Sequence, residues 1–482
     1  MSDLSLSIAA SGLRADTAEL DTASNNLSNI STPGYARETV NLASGAGVGP
    51  NGVGSGVWVT SVSALSDPIY EAANVSAEGV QGAASEANEV MTSIEAIFPE
   101  PSTSGLSAQL STFWSDLNTL AANPNQAGAQ QSVASDAEGL ANTLNSSSNQ
   151  LSQLSTSLQA QIGTGQGDGG TLSQANNLLN EAAQLNQGIV AGDAAGQDVN
   201  SLVDQQRAIV NTLAGMLGIS TSTGSDGALT IMSGGVQLVS GDVAQTLRST
   251  GSAAEGNLGI ATANGVQLQP GGSVGASLAA VNTTIPKYQT QLSDVANSLA
   301  SGVNQLQANG MAANGDPGSA IAGSYTGTIL PNIFVDQGSA STYTASDNSA
   351  ATISVSAAYK TDPSLIATAA APGPSNSNAI GTATLDPTNA QAMAALANSA
   401  TGPDATYHNM VGALGTEAAK ASATNTAASN LATTAASNLA NISGVDENDE
   451  EVDILTAQNA FQAASQAINA INQSFQSLLS AV

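Results

Sequence analysis

The sequence predicts an elongated, mainly α-helical protein with smaller β elements, whose N- and C-terminal helices pair as an antiparallel coiled-coil rod beside a mixed α/β body. Apolar residues recur every seven positions over residues 6–27 and again over 454–482, a spacing typical of helices that meet along a narrow seam. Helical patterns separated by glycine-rich breaks fill most of the middle of the chain. Aromatic residues make up only 3% of the chain, so we expect thin helical seams and no large aromatic core.

Each terminal helix presents one apolar stripe, and isolated helices of this kind are marginal in water. We therefore expect the two stripes to pack against each other within a subunit and to become ordered on assembly. A single amphipathic helix lying on its own domain would show the same periodicity, so this alternative stays open. The predicted assembly seam consists of Leu6, Leu13, Leu20, Leu27, Ile30, Ile454, Phe461, Ile468, Ile471, Phe475, Leu478 and Val482.

Local signals predict the remaining elements in chain order. Pro33 and Gly34 end the first helix, because proline moves the residue before it out of the α region. An alternating strand at 57–62 follows a glycine-rich loop, and the strands flanking Gly234 and Gly235 are typical of a hairpin. Helical patterns occupy residues 70–98, 105–160, 171–190, 200–217, 274–308 and 407–442.

These patterns divide the chain into three predicted parts. Residues 1–34 and 446–482 form the terminal coiled-coil assembly domain, and residues 35–318 and 406–445 form a helix-rich body with small β elements. Residues 319–405 are rich in proline, glycine, serine and asparagine, which predicts an irregular, β-poor insertion or loop region.

The charge balance excludes several classes of partner. The net charge is −30, from 37 acidic and 7 basic side chains, so we expect no nucleic-acid partner and no anionic membrane surface, since both need clustered lysine and arginine. No apolar stretch is long enough to span a bilayer, and the first residues lack the basic start of a cleaved signal peptide. The chain has no cysteine and one histidine, so we expect no metal and no cofactor.

One motif suggests a hydrolase. GGSVG at 271–275 matches the G-x-S-x-G nucleophile elbow, which would make Ser273 the nucleophile and His408 the base. The strand expected before the elbow is poor, and Pro270 lies in the turn. A glycine–serine turn at the start of a helix explains the same residues, so we predict no enzyme activity.

Two further motifs match the letters of known binding-site patterns but lack features that those sites require. GVGPNG at 47–52 fits G-x-G-x-x-G, but a strand follows it where a dinucleotide site needs a helix. DENDEEVD at 446–453 resembles the start of a calcium loop, but the required glycine and the final bidentate acid are missing. We interpret this acidic run as the first turn of the closing helix, with Asn448 as its N-cap and Glu451 completing a capping box.

Motifs at both ends carry a resemblance to a known family. NNLSNISTPGYAR at 25–37 resembles the N-terminal signature of the bacterial flagellar rod, hook and hook-associated family, and SGVDENDEEVD at 443–453 looks like that family's entry into its closing helix. VNSLVDQQRAIVNTLAGMLGISTS at 199–222 and the stretch 285–318 resemble the hook-associated members in particular, departing at Gln307 and Ala312, where histidine and aspartate are usual. The signature residues are Asn25, Asn26, Asn29, Thr32, Pro33, Gly34 and Tyr35.

The resemblance implies a structural subunit at the junction of hook and filament, needed for filament assembly and motility. It implies a homo-oligomeric ring that contacts the hook protein and a second hook–filament junction protein, and an export chaperone that binds the C-terminal helix. The expected location is the extracellular flagellum, reached by the flagellar type III route without a cleaved signal peptide. Another axial protein, such as the hook protein, and a secreted acidic adhesin remain as alternatives.

A repeated phrase makes a geometric prediction. NLSNIS at 26–31 ends the outgoing helix and NLANIS at 438–443 leads into the returning one. If the terminal helices are antiparallel, Ile30 and Ile442 should lie near each other where the rod meets the body.

Overall fold

The computed structural model describes residues 2–46, 54–323, 325–372 and 380–480. Helices dominate these residues, and every strand pairing is antiparallel. The predicted class, mainly α with smaller β elements, is confirmed. The helices are α1 (Ser2–Asn29), α2 (Pro68–Ile97), α3 (Leu106–Ala122), α4 (Ala127–Ile162), α5 (Thr171–Ala194), α6 (Asn200–Leu217), α7 (Gly272–Ala279), α8 (Ile285–Asn309), α9 (Ser349–Thr352), α10 (Ala357–Thr361), α11 (Thr388–Ala394), α12 (Pro403–Ser443) and α13 (Glu447–Ser480).

The strands form small separate sheets. A hairpin of two strands follows α1, a four-stranded meander and a three-stranded sheet follow α6, and two short pairs lie later in the chain. The strands are β1 (Glu38–Ser44), β2 (Val57–Ala64), β3 (Ile219–Thr223), β4 (Leu229–Ser233), β5 (Val236–Ser240), β6 (Val243–Ala244), β7 (Leu247–Thr250), β8 (Gly259–Thr262), β9 (Gln267–Leu268), β10 (Gly310–Ala312), β11 (Phe334–Asp336), β12 (Ile353–Val355) and β13 (Ala367–Ala370).

The hairpin predicted around Gly234 and Gly235 is confirmed as β4 and β5. Both glycines have positive φ, 53° and 78°, which a two-residue hairpin turn requires. The literal dinucleotide motif at 47–52 lies outside the described residues, between the paired strands β1 and β2.

The terminal helices lie side by side. α1 packs along α13 and on the β1–β2 hairpin, and the C-terminal end of α1 meets the first turn of α13, because Asn26 bonds Glu450. The two helices are therefore antiparallel. The hydrogen bond from Thr32 N–H to Asn29 O closes α1 just before Pro33, where proline was expected to stop it.

Two predicted body helices are interrupted. A π-helical stretch, Ala280–Thr284, separates α7 from α8 within the helix predicted at 274–308. The pattern at 105–160 was expected to be continuous, but α3 ends at Ala122 and α4 begins at Ala127. Pro124 lies in the break, and a proline inside a helix loses one backbone hydrogen bond and clashes with the preceding turn. No large apolar residue lies between Leu120 and Val133, so Pro124 was the local signal of the break, and the prediction did not use it.

The segment 319–405 is built from short elements that contribute to the body core. Phe334 and Tyr359 have no exposed surface, and the rings of Phe334 and Phe113 pack edge to face at 6.4 Å. Gln307 of α8 connects this segment to the body, because its Nε2 donates to Tyr359 Oη at 2.7 Å and its Oε1 accepts from Ala367 N–H at 3.0 Å. This packing positions the segment against the helical body.

Candidate assembly interface

The segment between α1 and β1, which we call the signature turn, depends on Gly34. Its φ is +83°, and a Cβ there would lie 2.7 Å from Asp204 O and 3.1 Å from Ala208 N. Only glycine combines that backbone conformation with so close an approach. The turn therefore lies directly on α6, which contains the VDQQR segment that resembled hook-associated proteins.

Asn26 links three parts of the structure. Its Nδ2 donates to Glu450 Oε2 at 3.0 Å and to Glu38 O at 2.9 Å, and its Oδ1 accepts from Glu38 N–H at 2.9 Å and Tyr35 Oη at 2.7 Å. The residue is 1% exposed. A buried amide with this many bonds restricts the arrangement of α1, β1 and α13 to one geometry.

Arg37 completes the contact with α13. Its guanidinium donates to the buried carboxylate of Glu450 and, at 2.9 Å, to Asp453, and its backbone N–H donates to Ser443 O at 2.8 Å. Burial lowers the pKa of Arg37, but the bond to Glu450 and the nearby carboxylates outweigh it, so the pKa is raised overall. We call Asn26, Tyr35, Arg37, Glu38 and Glu450 the joint cluster.

A second set of charges attaches the turn to the body. Arg207 of α6 donates to Asp204 at 2.8 Å and to Glu71 of α2 at 3.1 Å. Burial raises the pKa of Asp204, against the opposing effects of Arg207 and of a hydrogen bond from the Ala36 backbone. The turn, α2 and α6 are thereby connected through two carboxylates, Asp204 and Glu71, and the guanidinium of Arg207.

The other signature residues form a local network at the end of α1. Asn29 Nδ2 donates to Asn25 Oδ1 at 2.9 Å, Thr32 Oγ1 donates to Asn29 Oδ1 at 3.2 Å, and Asn25 Nδ2 donates to Glu38 Oε2 at 3.2 Å. Pro33 is exposed. These bonds between side chains hold the end of α1 and the start of β1 in one arrangement around the turn.

The structure gives the predicted seam residues different degrees of burial. Leu13, Leu20, Leu27, Ile454, Ile468 and Ile471 are half-buried, and Leu6, Ile30, Phe461 and Phe475 are exposed. The Leu478 side chain and Val482 lie outside what the structure describes. The fully buried described residues of the two helices are small or polar: Ser11, Ala15, Thr22, Ala23, Asn26, Glu450 and Ala457. Knobs-into-holes pairing, and the role of these residues as an assembly seam, therefore stay predictions.

Sequence reasoning missed the roles of Glu450 and Arg37. The acidic run was interpreted as a cap, but the capping residue is Asp446, whose Oδ1 accepts from Asn448 N–H at 2.9 Å, two positions before the predicted Asn448. Asp446 caps the helix in place of Asn448 because it directly precedes the first helical residue, where a side-chain oxygen can accept from the free N–H groups of the first turn. The sequence held one local signal for the ion pair. Arg37 is one of only 7 basic residues in the chain, and it is the last residue of the signature motif.

The two repeated phrases reach the same place. Ser443 accepts the Arg37 N–H, and Ile30 and Ser443 line one cavity between the turn and the end of α12. The end of the first phrase and the end of the second thus lie at the joint between the terminal helices and the body.

The structure does not bring together the two residues of the suggested hydrolase site, Ser273 and His408. Ser273 lies in the first turn of α7, whereas His408 is exposed on α12 with its Nε2 3.4 Å from Ser107 Oγ. Within the described ranges, no group of three or more histidine, cysteine or carboxylate side chains could hold a metal ion. Nor is any described helix long and apolar enough to cross a membrane.

Comparison with known proteins gives concordant results. Residues 91–321 match the family described as "Flagellar hook-associated protein FlgK helical domain", and residues 6–35 match "Flagella basal body rod protein". Flagellar hook-associated protein 1 of Escherichia coli (strain K12) is 30% identical over 64% of this chain and 58% of its own length. Its counterpart in Bacillus subtilis (strain 168) is 28% identical over 46% of this chain and 45% of its own length.

A solved structure shows the same fold. The flagellar hook junction protein FlgK from Burkholderia pseudomallei superposes with a TM-score of 0.57 at 18% identity, over 77% of this chain and 99% of that one. The matched region spans less than two thirds of the curated relatives' length. The signature turn, the helical body and the fold therefore agree in their likeness to flagellar hook-associated protein 1, and the chain shares the fold of the hook junction protein FlgK.

Proposed function

We propose that this protein is a structural, non-enzymatic subunit of the bacterial flagellum that joins hook to filament and is required for filament assembly and motility. The observation that carries this proposal is the joint cluster. It fastens an antiparallel pair of terminal helices to the body through buried polar bonds. An adaptor needs such an attachment, because force on the terminal helices has to reach the body without changing the angle between them.

The terminal helices are the surfaces we assign to self-assembly into a ring. α13 has no charged residue after Asp453, and Phe461 and Phe475 are exposed on it. Exposed apolar residues on a long helix are typical of surfaces buried by another chain. Neighbouring subunits would cover the predicted seam, and the hook protein and the second junction protein would bind above and below the ring.

The same exposed stripe supports a chaperone that holds the C-terminal helix before export. A helix with an exposed apolar stripe and no charge after Asp453 would otherwise associate nonspecifically in the cytoplasm. Export by the flagellar type III route to the extracellular flagellum fits a chain that contains no cysteine, since no disulfide has to form after export.

Deletion of the gene tests the function. Electron microscopy of the deletion strain should show hooks without filaments, with flagellin released into the medium, and the intact gene in trans should restore filaments. A matched strain carrying Ser273→Ala should swim normally, because no enzyme activity is expected. Normal filaments in the deletion strain would refute the proposal.

A further inference from the structure

A cavity of about 860 Å³ lies at the joint between the terminal helices and the body. The signature turn and the end of α12 form one side of it, and α2, α5, α6 and β3 form the other. This volume is in the range of pockets that enclose a small ligand. It is also large enough for a short segment of another chain.

The walls are aliphatic over much of their area. Val75, Ile189 and Val210 line the cavity and are buried in the body, and Leu439 of α12 lines it as well. An occupant with branched apolar side chains would therefore replace water at these walls, which favours binding.

One buried polar atom in the wall has no partner. Asn74 is 4% exposed and its Nδ2 donates to Asn211 Oδ1 at 3.2 Å, but its Oδ1 is buried and accepts no hydrogen bond within the described residues. A buried acceptor without a donor is costly. Asn74 lines the cavity, so an occupant whose N–H or O–H reached this oxygen would satisfy it.

Acidic side chains outnumber basic ones around the cavity. Glu71, Glu78, Asp193 and Arg207 line it, and Arg207 is already bonded to Glu71 and to Asp204. Glu78 and Asp193 form no ion pair within the described part of the chain. The cavity thus combines aliphatic walls with free acceptors and free negative charge.

We propose that the cavity binds a short basic and aliphatic segment of a different partner chain, with a lysine or arginine directed at Glu78 and Asp193. A second copy is the weaker candidate, because this chain has 7 basic residues and four of them are engaged in intrachain ion pairs. The inference rests on the proposed function only in requiring that the chain meets other proteins. Occupancy would also stiffen the joint, since the segment would contact both of its sides.

The test uses the full-length protein and a probe pentapeptide, acetylated and amidated Ala-Leu-Arg-Val-Ala, in isothermal titration calorimetry. A second probe replaces the arginine with citrulline, which keeps the shape and removes the charge. We expect saturable one-to-one binding, at least tenfold tighter for the arginine probe. The double variant Glu78→Gln/Asp193→Asn should lose that tenfold preference, and Val203→Phe, which fills the cavity, should weaken both probes.

Glu181→Gln is the matched control, since Glu181 is exposed on α5 and does not line the cavity. No saturable binding, equal affinity for the two probes, or an unchanged preference in the double variant would each overturn the proposal. Self-association of the chain that the arginine probe inhibits would assign the cavity to a second copy, and would overturn it too. Because the readout is peptide binding, its failure is separate from a failure of the deletion experiment.

Discussion

At the scale of single residues, the charged groups of the joint differ in how far they are removed from water. The Glu450 side chain is 1% exposed, that of Arg37 is 24% exposed, and that of Asp453 is 58% exposed. Breaking a buried pair is most costly when it leaves the buried charge without a partner. The three positions should therefore respond very differently to neutral substitutions.

Arg37→Gln should weaken the joint more than Glu450→Gln does. The first leaves the buried Glu450 carboxylate without its cation and should cost about 3 kcal/mol, whereas the second leaves Arg37 with Asp453 and solvent and should cost about 1–2 kcal/mol. Hydrogen exchange of the amides in 26–38 and 447–453 measures both. Asp453→Asn is the control, with an effect below about 0.5 kcal/mol; equal effects of all three would contradict the assigned burial.

A carboxyl pair in the body predicts a pH dependence. Burial, together with the negative charge of Asp116, raises the pKa of Asp136 to about 6 from its ordinary value of 3.8. The folded state therefore holds this proton more tightly than the unfolded chain. Its contribution to stability is complete below about pH 4 and is lost as the pH rises through 6.

Asp136→Asn should remove this dependence. The variant should be more stable than the parent at pH 7.5, by about 1 kcal/mol after allowance for solvent screening, and the difference should shrink toward pH 4. Urea unfolding at a series of pH values measures it. A stability difference that stays constant with pH would show that Asp136 does not titrate in this range.

At the scale of elements, the body helices cross where glycines allow backbones to touch. A Cβ on Gly82 of α2 would lie 2.0 Å from Gly215 O and 2.8 Å from Gly215 C of α6. These are backbone atoms, so the helices would have to separate to admit a methyl group. The distance between α2 and α6 therefore depends on these two glycines.

Gly82→Ala should destabilise the body by about 1–3 kcal/mol, the usual cost of overpacking. Gly139→Ala in α4 is the matched control, because a Cβ there would meet nothing within 4 Å. That control should stabilise by about 0.5–1 kcal/mol, since alanine is the better helix former. Chemical denaturation measures both, and a neutral Gly82→Ala would contradict the crossing.

The last helix is expected to be ordered only near the joint in an isolated subunit. Beyond Ala457, no described residue of α13 is fully buried, so little packing supports the distal turns of that helix. Removing residues 458–480 should reduce the far-ultraviolet circular dichroism of the monomer by much less than their share of the helix. A proportional loss would mean that this part of α13 is already folded before assembly.

At the scale of the whole molecule, acidic charge opposes association. The net charge is −30. Carboxylates also repel one another within a subunit: burial raises the pKa of Glu19, and the negative charges of Asp16 and Asp453 raise it further. Apolar contacts between neighbours along the uncharged part of α13 do not weaken with salt, whereas repulsion between exposed charges does. Salt should therefore promote assembly.

Sedimentation velocity of the purified chain at low and high sodium chloride should show more self-association at high salt. The triple variant Glu447→Gln/Asp449→Asn/Glu451→Gln removes exposed acids beside the joint and should associate at lower salt than the parent. Association that falls as salt rises would instead indicate that attractive ion pairs hold the subunits together.

The sequence by itself determined the approximate positions of the long helices, the strand at 57–62, the hairpin at Gly234 and Gly235, and the turn at Pro33 and Gly34, but not the other short strands. Proline, glycine and apolar spacing act within a few residues, so their effects can be inferred locally. The break at Pro124 was missed although this proline was a local signal for it, because the helical patterns on its two sides were joined into one. The motif resemblance also pointed to the same relatives that the comparisons match, since the signature turn is local.

Only the tertiary structure decided which polar residues form the joint. Arg37 and Glu450 are 413 positions apart, and nothing in an acidic run shows which carboxylate will be buried. That choice depends on the direction in which α13 leaves α12, on the approach of β1, and on the contact of Gly34 with α6. A buried charge is tolerated only where all of these supply its partners together, and that condition is a property of the folded arrangement.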